Sequence, residues 1–476
     1  MTPAFADPRF LLPAPPRSAT VLPGAEAWLP LLERARIATS TPPYDVAITG
    51  PEPSAGETDG VPSVIVEGGV RLNGYESRRY VVFGKRDRPL LLVPLDRGNV
   101  MSYALSTWSS PRTRARALRR HLILALPRPA VRLARWPQVT IATRGAGPPY
   151  VVAAALQQLG VETPVDWLLI CGQSDDLGRA AFVVFPQSAS RPRWIVKFLR
   201  VPGYSDPIDR DERALAAVAE AGGVTAAHAP RFLARLDVGG LAASIETAAA
   251  GRRLSAILTA AGPRAAKTRA VDAVAEWIVR VGLETRHDGA AGEVERLRTE
   301  VLASWPTAPE GLLSDLTGLP AVLQHNDLGT WNIVSDGGGD FTAVDWESAN
   351  PSGLPLWDLW YFLADALRLL DGEQAADSGA FARLFRGEAP ASPELFRWTR
   401  IAAEAFGIPA QAVGKLATLC WLHHGLSHEA RRAAVDRAAR GGETVTTAAT
   451  SYPGVWLSDP ALGSGWRCWG DGGGAS

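Results

Sequence analysis

Cysteine is nearly absent from this 476-residue chain: Cys171, Cys420 and Cys468 stand far apart and share no paired metal-ligand spacing. Neither a disulfide framework nor a zinc site is supported, and the three read as buried or idle thiols. Long apolar runs are missing too. No stretch approaches the roughly 18 apolar residues that a membrane span requires. The N-terminus, "MTPAFADPRFLLPAPP", offers prolines and an acid where a secretion signal needs a basic start and an apolar core. Cytoplasmic residence is therefore the expectation. No internal repeat recurs at a fixed period. Lysine is scarce as well: only Lys85, Lys197, Lys267 and Lys415 appear among 49 basic residues, so each calls for a reason.

What is present describes a folded chain. Apolar residues make up 46% and charged residues 21%, the balance of a globular protein. The length allows two or three domains of ~100 to 200 residues each. Basic and acidic residues balance at 49 each but are unevenly spread, with sixteen Arg or Lys against three acids between Arg71 and Arg144. The helix-like "SPRTRARALRRHLILAL" dominates that block, with Ser110 as its cap and Pro111 at the first helical position. Docking on the acidic remainder of the chain is the first reading. Contact with an anionic membrane or a lipid-linked substrate through residues 110–136 is the second. Nucleic acid comes last, because aromatic residues are not interleaved with the arginines.

Residues 1–150 read as a small α/β N-terminal segment. "YDVAIT", "SVIVEGGVRL", "RRYVVFGK" and "RPLLLVPL" are strand-like, and "GAEAWLPLLERARIA" is helix-like. From about 160 to 250 the pattern becomes a small mixed lobe. "DWLLICGQSDDLGRAAFVVF" reads as strand, turn and strand, "RWIVKFLRV" as a third strand, "DRDERALAAVAEAGG" as a helix, and "ARLDVGGLAASIET" as two further strands. From 251 to about 445 helical periodicity prevails, and residues 446–476 form a tail ending "GDGGGAS".

One interruption of the helical region carries chemistry. In "LQHNDLGTWNIV", His325, Asp327 and Asn332 fit the spacing H-x-D-x-x-x-x-N, and "NIVSDGGGDFTAVDW" closes a hairpin that returns Asp345 toward Asn332. An amide oxygen beside a carboxylate suits magnesium, a hard cation that keeps waters and substrate phosphates in its other positions. Asp327 is left free to hold an attacking hydroxyl. Lys197, in the middle of the strand "WIVKFL", offers a point charge for phosphate oxygens, with Glu212 on the next helix as its natural partner. The turn "GQSDDLG", with Gly172 and Ser174, can present backbone N–H groups to an anion, provided that Asp175 and Asp176 point away or face a cation.

In these motifs residues 165–440 resemble the aminoglycoside phosphotransferase and choline kinase family of the protein-kinase-like fold. The matches are "IVKFL", "DERAL", "IETAAAGRRL", "HNDLGTWNI" and "VDWESANPSGLPLWDL", in that order. The resemblance implies an α+β, protein-kinase-like two-lobed fold, with a small mixed β lobe and a large, mainly helical one, preceded here by the N-terminal segment. It implies transfer of a phosphoryl group from ATP, with Mg2+, to a hydroxyl of a small molecule such as a sugar, aminosugar or aminocyclitol. Asp327 would be the catalytic base, Asn332 and Asp345 the metal ligands, and Lys197 the contact to the nucleotide phosphates, oriented by Glu212. Glu246 precedes the link between lobes and reads as a hydrogen-bonding residue, with the backbone around Thr247 meeting the adenine. His325 and Asp358 would brace the catalytic loop. Asn326 stands where the family often has glycine, and asparagine tolerates the left-handed backbone such a position asks for. The alternative from another class is a nucleotide-binding pseudokinase whose N-terminal part is a partner surface. His424 and His428, one turn apart, read as helix-surface or substrate-pocket residues rather than a metal pair, and Trp331, Trp346, Trp357 and Trp360 as core.

Overall fold

The computed structural model describes residues 8–440 and 457, except for 23–24, 27–28, 35–36, 40–42, 52–57, 59, 86–87, 109–135, 146, 172–178, 201, 337–338 and 374–377. Outside the described residues lie Gly172, Ser174, Asp175 and Asp176, the basic stretch 110–136 up to Trp136, the side chain of His428, and the tail 446–476 apart from one residue. The chain divides into two compact units, residues 1–209 with 231–250, and residues 210–230 with 251–476.

The first unit is built on one sheet. Its strands are β1 (Ala19–Val21), β2 (Val46–Thr49), β3 (Ser63–Glu67), β4 (Glu76–Lys85), β5 (Arg88–Pro94) and β6 (Gln138–Thr143). They continue as β7 (Val165–Ile170), β8 (Arg179–Pro186), β9 (Trp194–Leu199), β10 (Phe232–Val238) and β11 (Leu241–Thr247). The eleven strands run in the order β1-β2-β3-β6-β4-β5-β7-β8-β9-β11-β10. Among the described strands, β1–β2 and β2–β3 pair in parallel and the other pairs are antiparallel.

This sheet crosses the boundary placed near residue 150. β5 pairs with β7 through Leu91↔Ile170 and Leu92↔Leu169, so the strands of the N-terminal segment and those of the expected β lobe form one ladder. Both faces are covered, which explains why the strand sequences read as continuous apolar runs rather than alternating ones. Along β8, Phe182 and Val184 enter one core with Phe10 and the helix Tyr150–Gln158, while Val183 and Phe185 enter another with the helix Gly98–Trp108. Cys171 is buried at the end of β7, and neither it nor buried Cys420 forms a disulfide.

The second unit is mainly helical. At its centre lies the helix Trp357–Leu370, "WDLWYFLADALRLL", apolar on most of its circumference and buried accordingly. Its indoles are satisfied as buried polar groups must be: Trp357 Nε1 donates to the carbonyl of Leu416 at 3.1 Å and Trp360 Nε1 to Thr399 Oγ1 at 3.0 Å. Trp346, Trp357 and Trp360 are fully buried, each ring removing roughly 150–250 Å² from water, and Trp331 is half-buried. Two three-stranded sheets interrupt the helices. One joins β12 (Arg252–Arg253), β15 (Ile333–Ser335) and β16 (Phe341–Ala343); the other joins β13 (His287–Asp288), β14 (Pro320–Gln324) and β17 (Asn350–Gly353).

Candidate active site

In the second unit, the segment between β14 and β15 holds the residues singled out by spacing. β14 ends at Gln324, and the chain then turns through Asn326 at φ 65°, the left-handed conformation that asparagine accepts and most residues resist. The turn is held from behind. Asp358 accepts the backbone N–H of His325 at 2.6 Å and that of Asn326 at 2.8 Å, one on each carboxylate oxygen. Burial raises the Asp358 pKa to about 6, against the opposing effect of the two N–H donors.

His325 braces the loop. Its Nε2 lies 3.0 Å from the carbonyl of Val344, so the neutral ring donates there, and its face tilts onto Trp346 with centroids 4.6 Å apart. Burial lowers its pKa to about 4, although the Val344 carbonyl and the charges of Asp345 and Asp211 favour the protonated form. The imidazole is thus a neutral donor. Asp211 is fully buried and sits one residue before half-buried Glu212 on the helix Asp206–Ala221.

Asp327 is held at both oxygens. Asn332 Nδ2 donates to Asp327 Oδ2 at 3.1 Å and to the Asp327 carbonyl at 2.8 Å, while the Tyr361 hydroxyl donates to Oδ1 at 3.2 Å. With its amide nitrogen committed in this way, Asn332 retains Oδ1 as an acceptor. The hairpin brings the second expected ligand near. β15 and β16 pair through Ile333↔Ala343, and the N–H of Val344 donates to the carbonyl of Asn332 at 2.8 Å, so Asp345 follows directly on the residue opposite Asn332. Asp345 adopts φ 73° and opens the 3-10 turn Trp346–Ser348. Among the described residues no group of three or more His, Cys, Asp or Glu is gathered as a metal cluster. An amide oxygen and one carboxylate fit a hard cation that takes its remaining ligands from water and phosphate.

The same helix ties down the rest of the loop. Asp365 Oδ2 accepts the backbone N–H of Thr330 at 3.1 Å and also its hydroxyl, while Asp365 Oδ1 pairs with Arg368 at 2.5 Å. Tyr361 and Asp365 were missed by sequence reasoning, in which an aromatic and an acid on an apolar helix look like core and surface. Their spacing from Asp358, three and seven residues on, was the available signal, because it places all three on one helical face. His424 proves to be buried and stacked on Tyr361, with centroids 4.2 Å apart and planes 26° from parallel.

In the first unit Lys197 lies on β9 opposite Ser244 of β11, and its Nζ is 2.7 Å from Oε1 of Glu246. Two residues along the neighbouring strand is the diagonal position on the same face, within reach of long side chains. Glu246 is therefore a carboxylate that β11 supplies to Lys197, in addition to the Glu212 that the sequence reading paired with it. The next residue, Thr247, accepts the N–H of Arg231 on its hydroxyl at 2.9 Å and donates its own N–H to the Arg231 carbonyl at 3.0 Å.

Comparison with known proteins bears on this geometry. The sequence model of the phosphotransferase enzyme family (APH) matches residues 105–396, more than half of the chain. No curated protein sequence matches it. Among solved structures, an aminoglycoside-3′-phosphotransferase of type VIII is similar at 20% sequence identity and a TM-score of 0.31, over 54% of this chain and 99% of that one.

Proposed function

The chain belongs to the phosphotransferase enzyme family, residues 105–396 matching that family's model, and from this premise we propose that it transfers the γ-phosphoryl group of ATP to a hydroxyl of a small molecule. A sugar, an aminosugar or an aminocyclitol is the acceptor class we favour. The observation that carries the proposal is the setting of Asp327, whose two oxygens each accept from a neutral donor, Tyr361 and Asn332, on the loop whose H-x-D-x-x-x-x-N spacing marks the base.

The chemistry asked of the protein is modest. As the acceptor oxygen bonds to phosphorus, the bond from phosphorus to the bridging oxygen of ADP breaks, and the hydroxyl proton passes to Asp327. Most of the catalysis in such a transfer is positioning and charge stabilisation, because the transition state is loose and little proton removal is needed early. Asn332 and Asp345 would hold Mg2+, which supplies charge neutralisation on the phosphate oxygens. Lys197 would meet the nucleotide phosphates, with Glu246 fixing the direction of its ammonium group and the backbone around Thr247 meeting the base. Gly172, Ser174 and Glu212 stay in the proposal as nucleotide-side residues on their sequence motifs alone. Cytoplasmic residence, where ATP is at hand, is part of the same reading, and no helix among the described residues is long and apolar enough to cross a membrane.

Asp327→Ala tests the assignment. Turnover of ATP with a cognate acceptor should vanish while nucleotide affinity, measured by calorimetry, stays near wild type. Retained turnover would remove Asp327 from the chemistry, and nucleotide binding by a wild-type protein that phosphorylates nothing would favour a pseudokinase.

A further inference from the structure

Three side chains of the helix Trp357–Leu370 meet the catalytic loop in register. Asp358 takes the N–H groups of His325 and Asn326, Tyr361 reaches Asp327, and Asp365 takes the N–H and hydroxyl of Thr330. The helix residues are spaced three and four apart, the period of one helical face, and the loop residues follow them in the same order. Two of the contacts hold backbone, as a structural brace would. The Tyr361 contact alone falls on the carboxylate of the proposed base.

We propose that Tyr361 is a positioning residue for phosphoryl acceptance, its hydroxyl setting the rotation of the Asp327 carboxylate so that a lone pair faces the acceptor oxygen. The inference rests on the reading of Asp327 as the base. The Nδ2 of Asn332 is shared between Oδ2 and the Asp327 carbonyl, so it does not act on the carboxylate alone. The Tyr361 donor, on Oδ1, restrains the rotation from the other oxygen. The phenol is itself held in place: its ring stacks on His424 at 4.2 Å and on Trp421 at 6.2 Å, and meets the edge of Trp331 at 6.0 Å. Trp331 belongs to the same loop, between Asp327 and Asn332, while Trp421 and His424 lie on the helix Ala410–Arg440, so the ring is contacted by two elements besides its own helix. A hydrogen bond from a phenol weakens Oδ1 as a base. In a loose transition state that loss matters little, whereas the direction of the hydroxyl matters a great deal.

Tyr361→Phe keeps the ring and its stacking and removes only the hydroxyl. The test is ATP turnover by wild type, Tyr361→Phe and Asp327→Asn, with water alone and with a panel of hexoses, aminosugars and aminocyclitols, scoring phosphorylated product against free phosphate. For Tyr361→Phe, kcat toward the best acceptor should fall about tenfold, the scale of one hydrogen bond to a charged group. The KM for ATP should not move, and free phosphate per phosphorylated product should rise, because a mis-aimed carboxylate serves water as readily as the acceptor. A purely structural role would leave that partition where it was. If Asp327→Asn is inactive while Tyr361→Phe keeps the wild-type kcat and partition, the inference about Tyr361 is overturned and the base assignment stands. Should Asp327→Asn turn over normally, or wild type phosphorylate none of the panel, the functional reading falls and the inference with it.

Discussion

Replacing Asp358 with asparagine separates what this residue does for the loop from what it costs the fold. The carboxylate accepts two backbone N–H groups, at 2.6 and 2.8 Å, and an amide can serve only one of them, turning its own NH2 against the other. The net pKa of Asp358 already includes what its charge gains from these bonds, so the added cost in the variant is the unsatisfied buried N–H, about 1–3 kcal/mol. The opposing effect is of the same size. Burial raises the Asp358 pKa from 3.8 to about 6. The folded protein thus holds a proton that the unfolded chain has released, and stability present below pH 4 is lost as pH rises through 6. At 1.36 kcal/mol per unit, that loss is about 3 kcal/mol at pH 8 and roughly half of that at pH 5. Asparagine has no charge to bury and escapes the penalty. Asp358→Asn should therefore melt near wild type at pH 8 and gain on wild type by roughly half of that penalty between pH 5 and pH 8. Its turnover should nonetheless fall steeply, because His325 and Asn326 are no longer both anchored. Unfolding curves at the two pH values, with turnover at pH 8, make the comparison. A variant several kcal/mol less stable at both pH values, or one fully active, would refute the reasoning.

Two other perturbations follow from the same structure. His325 and His423 are buried with pKa values lowered to about 4 from 6.5, so in acid the unfolded chain binds protons that the folded chain refuses. Their contribution is complete above pH 6.5 and is lost as pH falls toward 4, by up to roughly 3 kcal/mol each; His423→Phe should flatten the acid side of a stability profile, and an unchanged profile would count against this reading. In the first unit, Glu246→Gln takes the facing carboxylate from Lys197, whose side chain is only 12% exposed. Removing one charged hydrogen bond from Lys197 costs about 2–3 kcal/mol, and combining Glu246→Gln with Lys197→Met should recover much of it; a single variant as stable as wild type would show that the pair is more solvated than its geometry implies.

Much of this architecture could be read from sequence, and the failures share a cause. β7, β8, β9, β10 and β11 were legible because apolar runs end at glycine, proline or charge, and the spacing of His325, Asp327 and Asn332 is itself a local signal. The Lys197–Glu246 pair was not, since it depends on β9 and β11 pairing in one register, with Ser244 opposite Lys197. The bond between β5 and β7, which joins the two expected parts of the first unit, is likewise a contact between residues nearly eighty positions apart. Tyr361 and Asp365 could have been found from their spacing to Asp358, but a helix that is apolar on most sides hides which polar residues are there for a partner. Register and facing are tertiary facts, whereas capping, turns and periodicity are local ones.

The central claim is that Asp327 receives the proton of a hydroxyl that attacks ATP. The most direct measurement is 31P NMR of the protein incubated with ATP, Mg2+ and the panel of small hydroxyl compounds, run in parallel with Asp327→Asn. The account predicts a phosphate monoester resonance and ADP with wild type, and neither at a comparable rate with the variant. A monoester formed equally by both proteins would contradict it.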